Sequence, residues 1–379
     1  MGYGAARLTH PTVHASPCRL ASIANVENRY YSGFNYAQPC AAREHNQGEF
    51  MKVCIFGAGA VGGHIATRLI AAKADEIAVV ARGAQLQAIR TRGLTLRTGG
   101  KEIHAKPAVA TDDPSTLPPQ DIVLVGVKAT AALPAAAAAI GKLLAPNGCA
   151  VFMINGIPWW WRHGRSGDKD SDKGTLPLLD PDSALWNHVK PERTLGCIVH
   201  MPNEIVEPGV IVHTGPDHLI LGEPDGSASP RLNALAEMFR RGGLDIRLSN
   251  DIRRDVWQKL ALNASGNTLA ALTQVDLGGL GADPGLCEVS IKVMREAIAV
   301  AAAQGWDLSA EMDVEKLARR GKPGQRPSML QDVTHRRALE VEAIIGQIQA
   351  FARELKIATP TIDVILPLLR GLDGALRAA

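Results

Sequence analysis

Residues 51–64 read Met51-Lys-Val-Cys-Ile-Phe-Gly57-Ala-Gly59-Ala-Val-Gly62-Gly-His64. Val53 to Phe56 form an apolar run of the length expected for one buried parallel strand. The run enters Gly57-x-Gly59-x-x-Gly62, and the periodic residues Ile65, Leu69 and Ile70 continue it as a helix. Strand, glycines and helix in register predict a pyrophosphate site. Gly57 permits the tight turn, Gly59 lets backbone approach the phosphates, and Gly62 lets the helix lie close to the strand. The helix N–H groups and positive end then face the anion. The expected cradle is therefore Gly57, Ala58, Gly59, Ala60, Val61 and Gly62.

Working outward from this stretch, strands and helices alternate. A strand is expected at Glu76–Ala81, a helix at 84–91, a small hairpin over 94–108, and a buried strand from Asp121 to Lys128. An Ala-rich helix follows at 130–144, then a strand from Ala150 to Ile154 that ends at Asn155-Gly156. Units of this length predict a doubly wound parallel sheet with right-handed crossovers. Residues 162–186 are charged and Gly-rich and read as an exposed insertion. Further strands are expected at 195–201, 210–213, 218–221 and 245–248, with a helix at 229–241. From Asp251 onward only helices are expected. The chain thus divides into residues 1–50, an extension outside the fold or a start placed too far upstream; residues 51–249, a Rossmann-type domain; and residues 250–379, an all-helical domain.

At 379 residues the chain has room for two domains, and a hydrophobic fraction of 46% with 21% charged residues suits an ordinary globular protein. A net charge of +3 is too small to argue for nucleic acid or a membrane surface. The six cysteines are scattered, with no C-x-x-C pair, so neither a zinc site nor a disulfide framework is indicated. No metal-ligand cluster is visible. The expectation is a cytoplasmic protein.

A binder of the non-phosphorylated dinucleotide usually carries a carboxylate at the end of strand two. That position falls near Ala81, and Arg82 stands beside it. A guanidinium there pairs with a 2′-phosphate that a carboxylate would repel. The cofactor inferred is NADP(H). Lys128 and Asn155 end neighbouring strands, and ligands of open α/β sheets bind outside those carboxyl ends. Both are candidates for the nicotinamide side of the cleft.

In the apolar, helix-like stretch 256–273, Lys259, Asn263 and Asn267 recur at i, i+4 and i+8. Each step turns about 40° beyond a full turn and rises about 6 Å, giving one winding polar stripe. Such groups need partners when buried, and a wet cleft supplies them. Ser328 reads as a helix N-cap, with Gln331 completing a capping box. The same helix N-terminus also suits a substrate carboxylate. Glu340 lies on an amphipathic pattern with Val341, Ile344, Ile345 and Ile348, and alone reads as a surface or ion-pair residue.

These motifs resemble those of ketopantoate reductases over about residues 51–370. The match rests on Gly57-Ala-Gly59-Ala-Val-Gly62, Val127-Lys128-Ala129, Asn155-Gly156, Lys259-Leu-x-x-Asn263-x-x-x-Asn267, and Ser328-Met-Leu-Gln-Asp332 followed by Glu340. The resemblance implies NADPH-dependent reduction of 2-dehydropantoate to pantoate, in pantothenate and coenzyme A biosynthesis. It implies Lys259 as the general acid and Glu340 as the carboxylate that orients substrate and Lys259, at the edge of the cofactor site. Asn263, Asn267, Ser328 and Asn155 would hold substrate. Lys128 and Asn155 would line the catalytic end of the cofactor, and Arg82 the 2′-phosphate. The chain departs from the family pattern at Ile154 and Thr268. Ile157-Pro-Trp-Trp-Trp161 is expected to set an aromatic wall beside the cleft. Two alternatives follow: a related reductase of another 2-keto acid or imine, and a non-catalytic NADP(H) sensor. A homodimer is compatible with the helical domain.

Overall fold

Val53, Cys54 and Ile55 are fully buried in the first strand. They sit there because parallel strands covered on both faces need continuous apolar runs. The computed structural model describes residues 51–73, 75–164 and 174–378. The reading of residues 1–50, and of residues 165–173 in the expected insertion, falls outside them.

The strands are β1 Lys52–Phe56, β2 Glu76–Val80, β3 Leu94–Thr98, β4 Lys101–Ala105, β5 Val109–Thr111, β6 Gln120–Val125, β7 Leu144–Phe152, β8 Thr194–His200, β9 Asn203–Glu207, β10 Val210–His213, β11 His218–Gly222 and β12 Asp245–Leu248. Eight form one sheet in the order β12-β11-β8-β7-β6-β1-β2-β5. It is parallel throughout except between β8 and β11. The other four make a small sheet in the order β4-β3-β10-β9. Ile211 of this sheet packs against Gly63, where a Cβ would come within 2.9 Å of its Cδ1. The small sheet therefore covers the outer face of the glycine-motif helix, Ala60–Ala71. From Ile252 to Ala378 the described residues form helices, the longest spanning Ile252–Thr273.

Several local expectations are corrected. The Ala-rich helix is two short helices, Ala132–Ala135 and Ala137–Leu143, followed at once by β7. Strand β6 stops at Val125, so Lys128 lies on the loop beyond it. β5 and β9 were not anticipated. Each is short, and β9 leaves its odd and even positions partly exposed alike, which removes the alternation that marks a strand.

The largest correction concerns the tryptophans. Trp159, Trp160 and Trp161 are each at most 1% exposed, so all three belong to the core, and of the three only Trp160 also lines the cavity that includes Lys259. Trp159 meets Phe152 and Trp186 edge to face, and Trp161 meets Trp257 and Trp306 in the same way. Arg253 holds the loop inward. Its guanidinium donates to the carbonyls of Trp161 (2.8 Å), Pro224 and His163 and stacks on the Trp160 and Trp161 rings. Each ring buries roughly 150–250 Å², about 4–6 kcal/mol at roughly 25 cal/mol per Å². That exceeds the roughly 1–3 kcal/mol lost by an indole N–H without a partner, and the Nε1 atoms of Trp159 and Trp160 have none among the described residues. The expected exposed insertion is also anchored in part: Leu176, Asp180 and Leu185 are buried. Asp180 accepts from the N–H groups of Leu185 (2.7 Å) and Trp186 (2.9 Å), capping the helix Ala184–His188.

Candidate active site

The glycine loop has the shape an anion requires. Gly57 takes φ +101°, and a Cβ there would meet the Val127 nitrogen at 2.9 Å. A Cβ on Gly62 would lie 2.2 Å from the Gly57 carbonyl oxygen, so only glycine lets helix and strand close together. At Gly59 the nearest atom to such a Cβ is the Gly126 oxygen at 4.0 Å, leaving open space in front of the backbone. The helix Ala60–Ala71 has no side-chain cap and no acidic residue in its first turn. These residues fit a dinucleotide pyrophosphate. Gln85 braces the loop by donating to the Ala58 carbonyl (2.8 Å) and accepting from the Gly209 N–H (2.9 Å). Arg82 is exposed immediately after β2, beside this loop.

At the carboxyl ends of β6, β7 and β8 a polar chain links the sheet to the helices. The Lys259 ammonium donates to Asn155 Oδ1 at 2.8 Å and to the Val199 carbonyl at 2.7 Å. The Asn155 amide donates to Glu340 Oε2 at 3.1 Å. The other Glu340 oxygen accepts from the Ala129 N–H at 2.9 Å. Glu340 is 5% exposed, a buried carboxylate whose two oxygens are both bonded. It precedes the helical segment rather than lying along it. The next residues, Glu342–Gly346, form a π-helical turn continued by the helix Gln347–Leu355. Burial pushes the Lys259 ammonium down to about 8, opposed by the charge of Glu340.

Gly156 sets this joint. It takes φ +86°, and a Cβ would stand 2.2 Å from the Ala343 carbonyl oxygen. That oxygen accepts from the Ile157 N–H at 2.8 Å. The π-helical turn thus presents a carbonyl that clamps the loop carrying Asn155.

Asn263 lies between two cavities. One includes Lys259, Cys197 and Trp160 in its lining; the other includes Asn267 and Arg320. The stripe therefore does face clefts. Asn267 is itself buried, and its Oδ1 lies 3.5 Å from both the Ser328 hydroxyl and the Met329 N–H. Ser328 is not the N-cap. Pro327, extended at φ −69° and ψ 161°, holds that place, Ser328 is the first helical residue, and Gln331 donates to the Arg326 carbonyl instead of closing a box. Proline at the junction already fixes the entry conformation and removes the N–H such a box would satisfy. Lys128 is ion-paired with the buried carboxylate of Asp332. Burial raises the Asp332 carboxyl above its usual range, and Lys128 opposes that rise.

Sequence reasoning missed four participants. Val199 acts through its backbone, which no motif records. Gln85 braces the glycine loop from an unremarkable helical position. Asp332 stood inside a quoted motif without a role. His200, at the end of β8, has its imidazole held well below the usual histidine range, first by burial and then by the charges of Lys259, His218 and Arg320. Away from the cleft, folding also brings His64, His213 and Asp217 within 4.8 Å of one another, a cluster their spacing in the chain did not reveal. Arg68 is ion-paired with Asp217 there, and the group ties the glycine-motif helix to the small sheet.

The chain and its fold have counterparts among known proteins. The family model described as "Ketopantoate reductase PanE/ApbA" matches residues 53–163, and "Ketopantoate reductase PanE/ApbA C terminal" matches residues 251–373. The 2-dehydropantoate 2-reductase of Mesorhizobium japonicum is 37% identical over 323 residues, covering 85% of this chain and 98% of that protein. A candidate ketopantoate reductase of known structure from Ralstonia solanacearum MolK2 is 36% identical with a TM-score of 0.78, over 87% of this chain and 99% of its own. A PanE/ApbA family ketopantoate reductase from Ralstonia eutropha JMP134 is 28% identical with a TM-score of 0.71, over 86% and 100% of the two chains.

Proposed function

The chain belongs to the ketopantoate reductase family, and from this premise we propose that it reduces 2-dehydropantoate to pantoate with NADPH. It is a dinucleotide-binding oxidoreductase. Among its described residues no helix is long and apolar enough to cross a membrane. The observation that carries the proposal is the relay from half-buried Lys259 and Asn155 to buried Glu340, where the sheet's carboxyl ends meet the long helix.

Reduced nicotinamide, when bound, supplies a hydride to the substrate's keto carbon. Lys259 then does the protein's part. Its ammonium faces the oxygen on which negative charge develops, stabilises that charge and delivers a proton to it. Glu340 keeps Lys259 charged and, through Asn155, oriented. The glycine loop would hold the pyrophosphate and Arg82 the 2′-phosphate. Asn263 and Asn267 would hold the substrate, and Ser328 supports Asn267. Lys128, joined to Asp332, would close the loop beside the nicotinamide. Pantoate so formed would enter pantothenate and coenzyme A biosynthesis.

The test is NADPH oxidation with 2-dehydropantoate, wild type against Lys259→Ala. Loss of about 10²–10⁴-fold in kcat is expected. Tight NADPH binding with no turnover of any 2-keto acid, unchanged by the substitution, would refute the enzyme reading and favour a sensor.

A further inference from the structure

Away from the cleft, three segments turn side chains toward one point. His64 lies on the glycine-motif helix, His213 ends β10, and Asp217 lies in the loop between β10 and β11. His64 Nε2 stands 3.1 Å and His213 Nε2 3.3 Å from Asp217 Oδ1. Neither imidazole satisfies that oxygen, which is buried with no hydrogen-bond partner among the described residues. A buried acceptor left so is costly unless a cation completes it.

The far nitrogens of both rings are already held. His64 Nδ1 is 2.8 Å from Asn203 Oδ1, and His213 Nδ1 is 3.1 Å from Thr98 Oγ1. An amide oxygen only accepts, so in the neutral imidazole it fixes the His64 proton on Nδ1 and leaves the Nε2 lone pair toward Asp217. The Thr98 hydroxyl accepts as readily as it donates and permits the same tautomer at His213. Metal-bound histidine is held in this way, with its second ring nitrogen donating to an oxygen. Two lone pairs and a carboxylate oxygen at this separation repel one another unless a cation stands among them. A proton serves one nitrogen at a time, whereas a divalent ion serves all three atoms. Tetrahedral zinc, about 2.0–2.1 Å from each ligand, sets neighbouring ligand atoms about 3.3–3.4 Å apart. The distances from Asp217 Oδ1 are close to that spacing.

We propose that His64 Nε2, His213 Nε2 and Asp217 Oδ1 bind a zinc ion. The Pro216 carbonyl, 3.2 Å from His213 Nε2, or a water completes the four ligands. The role is structural, because the ion pins the glycine-motif helix to the small sheet. Arg68 pairs with the outer oxygen, Oδ2, and its Nε lies 3.5 Å from His64 Nε2. Its charge opposes the ion, so the site is weak and exchangeable. The Asp217 side chain is 18% exposed and gives the ion a way in.

The test uses the full chain, stripped with a chelator and titrated with zinc chloride by calorimetry. Wild type should bind zinc with a micromolar Kd and melt at a higher temperature once loaded. His213→Gln and Asp217→Asn should each weaken that binding at least about tenfold and lose the thermal shift. Asn203→Leu keeps all three ligands but removes the acceptor for His64 Nδ1, and should weaken binding about 10–100-fold. His104→Gln, which removes an exposed imidazole on β4, should match wild type. No binding below millimolar zinc in wild type overturns the proposal. So does binding unaltered in both His213→Gln and Asp217→Asn, since other histidines or cysteines then hold the ion. Circular dichroism checks folding. Should the variants not fold, X-ray absorption of the zinc-loaded wild type decides: two imidazoles with oxygen and no sulfur support the site, and any other ligand set overturns it.

Discussion

Gly156→Ala should disable the site without touching a side chain of the relay. The new Cβ would stand 2.2 Å from the Ala343 carbonyl oxygen, and real Cβ contacts stay beyond 3.0 Å, so loop and π-helical turn must separate by at least 3.0 − 2.2 = 0.8 Å. One relay bond joins the parts that must separate: opened by that amount, Asn155–Glu340 lengthens from 3.1 to 3.9 Å, past hydrogen-bond reach, and Asn155 then no longer holds Lys259 against an anchored partner. Misplacement on the order of 1 Å can lower a rate by about 10²-fold, and kcat is expected to fall by about that factor. Alanine at φ +86° adds roughly 1–2 kcal/mol of backbone strain. Gly100→Ala separates the two effects. Gly100 has φ +74° in the β3–β4 turn with nothing within 4 Å of an added Cβ. The assay is steady-state NADPH oxidation, with a thermal melt and NADPH binding on both variants. Gly100→Ala should lose a little stability and keep its kcat. Gly156→Ala should bind NADPH within a few-fold of wild type, since the glycine loop is separate. The reasoning is refuted if Gly156→Ala keeps kcat within threefold, or if both variants lose kcat alike.

Three further expectations follow from the same contacts. Lys259 must be protonated to act, so the reduction rate should be level below pH about 8 and fall above it; because the Glu340 charge favours the ammonium, Glu340→Gln should move this limb of kcat/KM to lower pH, and a limb that stays or moves up would contradict the relay. Arg82→Ala should raise KM for NADPH by about tenfold to a hundredfold and leave KM for NADH nearly unchanged, an equal loss with both cofactors being the contrary result. Arg253→Met should destabilise the fold by about 3–5 kcal/mol, seen as a lower urea midpoint, because three carbonyls lose their donor within the core; an unaltered midpoint would show those contacts to be dispensable.

What could be read from the chain, and what could not, follows from where polar groups find their partners. Lys259, Asn263 and Asn267 stood out because such side chains are unfavourable inside an apolar helix unless a cleft or a partner receives them. The glycines stood out because Gly57 and Gly62 sit where any Cβ would collide with backbone. Each of these residues is out of place locally, and the local mismatch marks the site. Val199 is the opposite case: its side chain suits a strand, and its contribution is a carbonyl that every residue possesses. The tryptophans misled for a related reason. Their position after Asn155-Gly156 placed them next to the cleft in sequence, but the rings pack into the core beside Arg253, and only Trp160 keeps an edge on the cavity that includes Lys259. Ser328 misled because serine, proline and glutamine at that spacing satisfy either of two entries to a helix, which are separated by the extended Pro327 at the N-cap and by Gln331 donating to the Arg326 carbonyl. Glu340 is the decisive example. Its periodicity matched a surface position on a helix, yet the helical segment begins only after it, and its carboxylate is buried and bonded to Ala129 and Asn155. A pattern of period 3.6 assigns a face only to residues inside a helix, so it cannot disclose where a residue just before the first turn points.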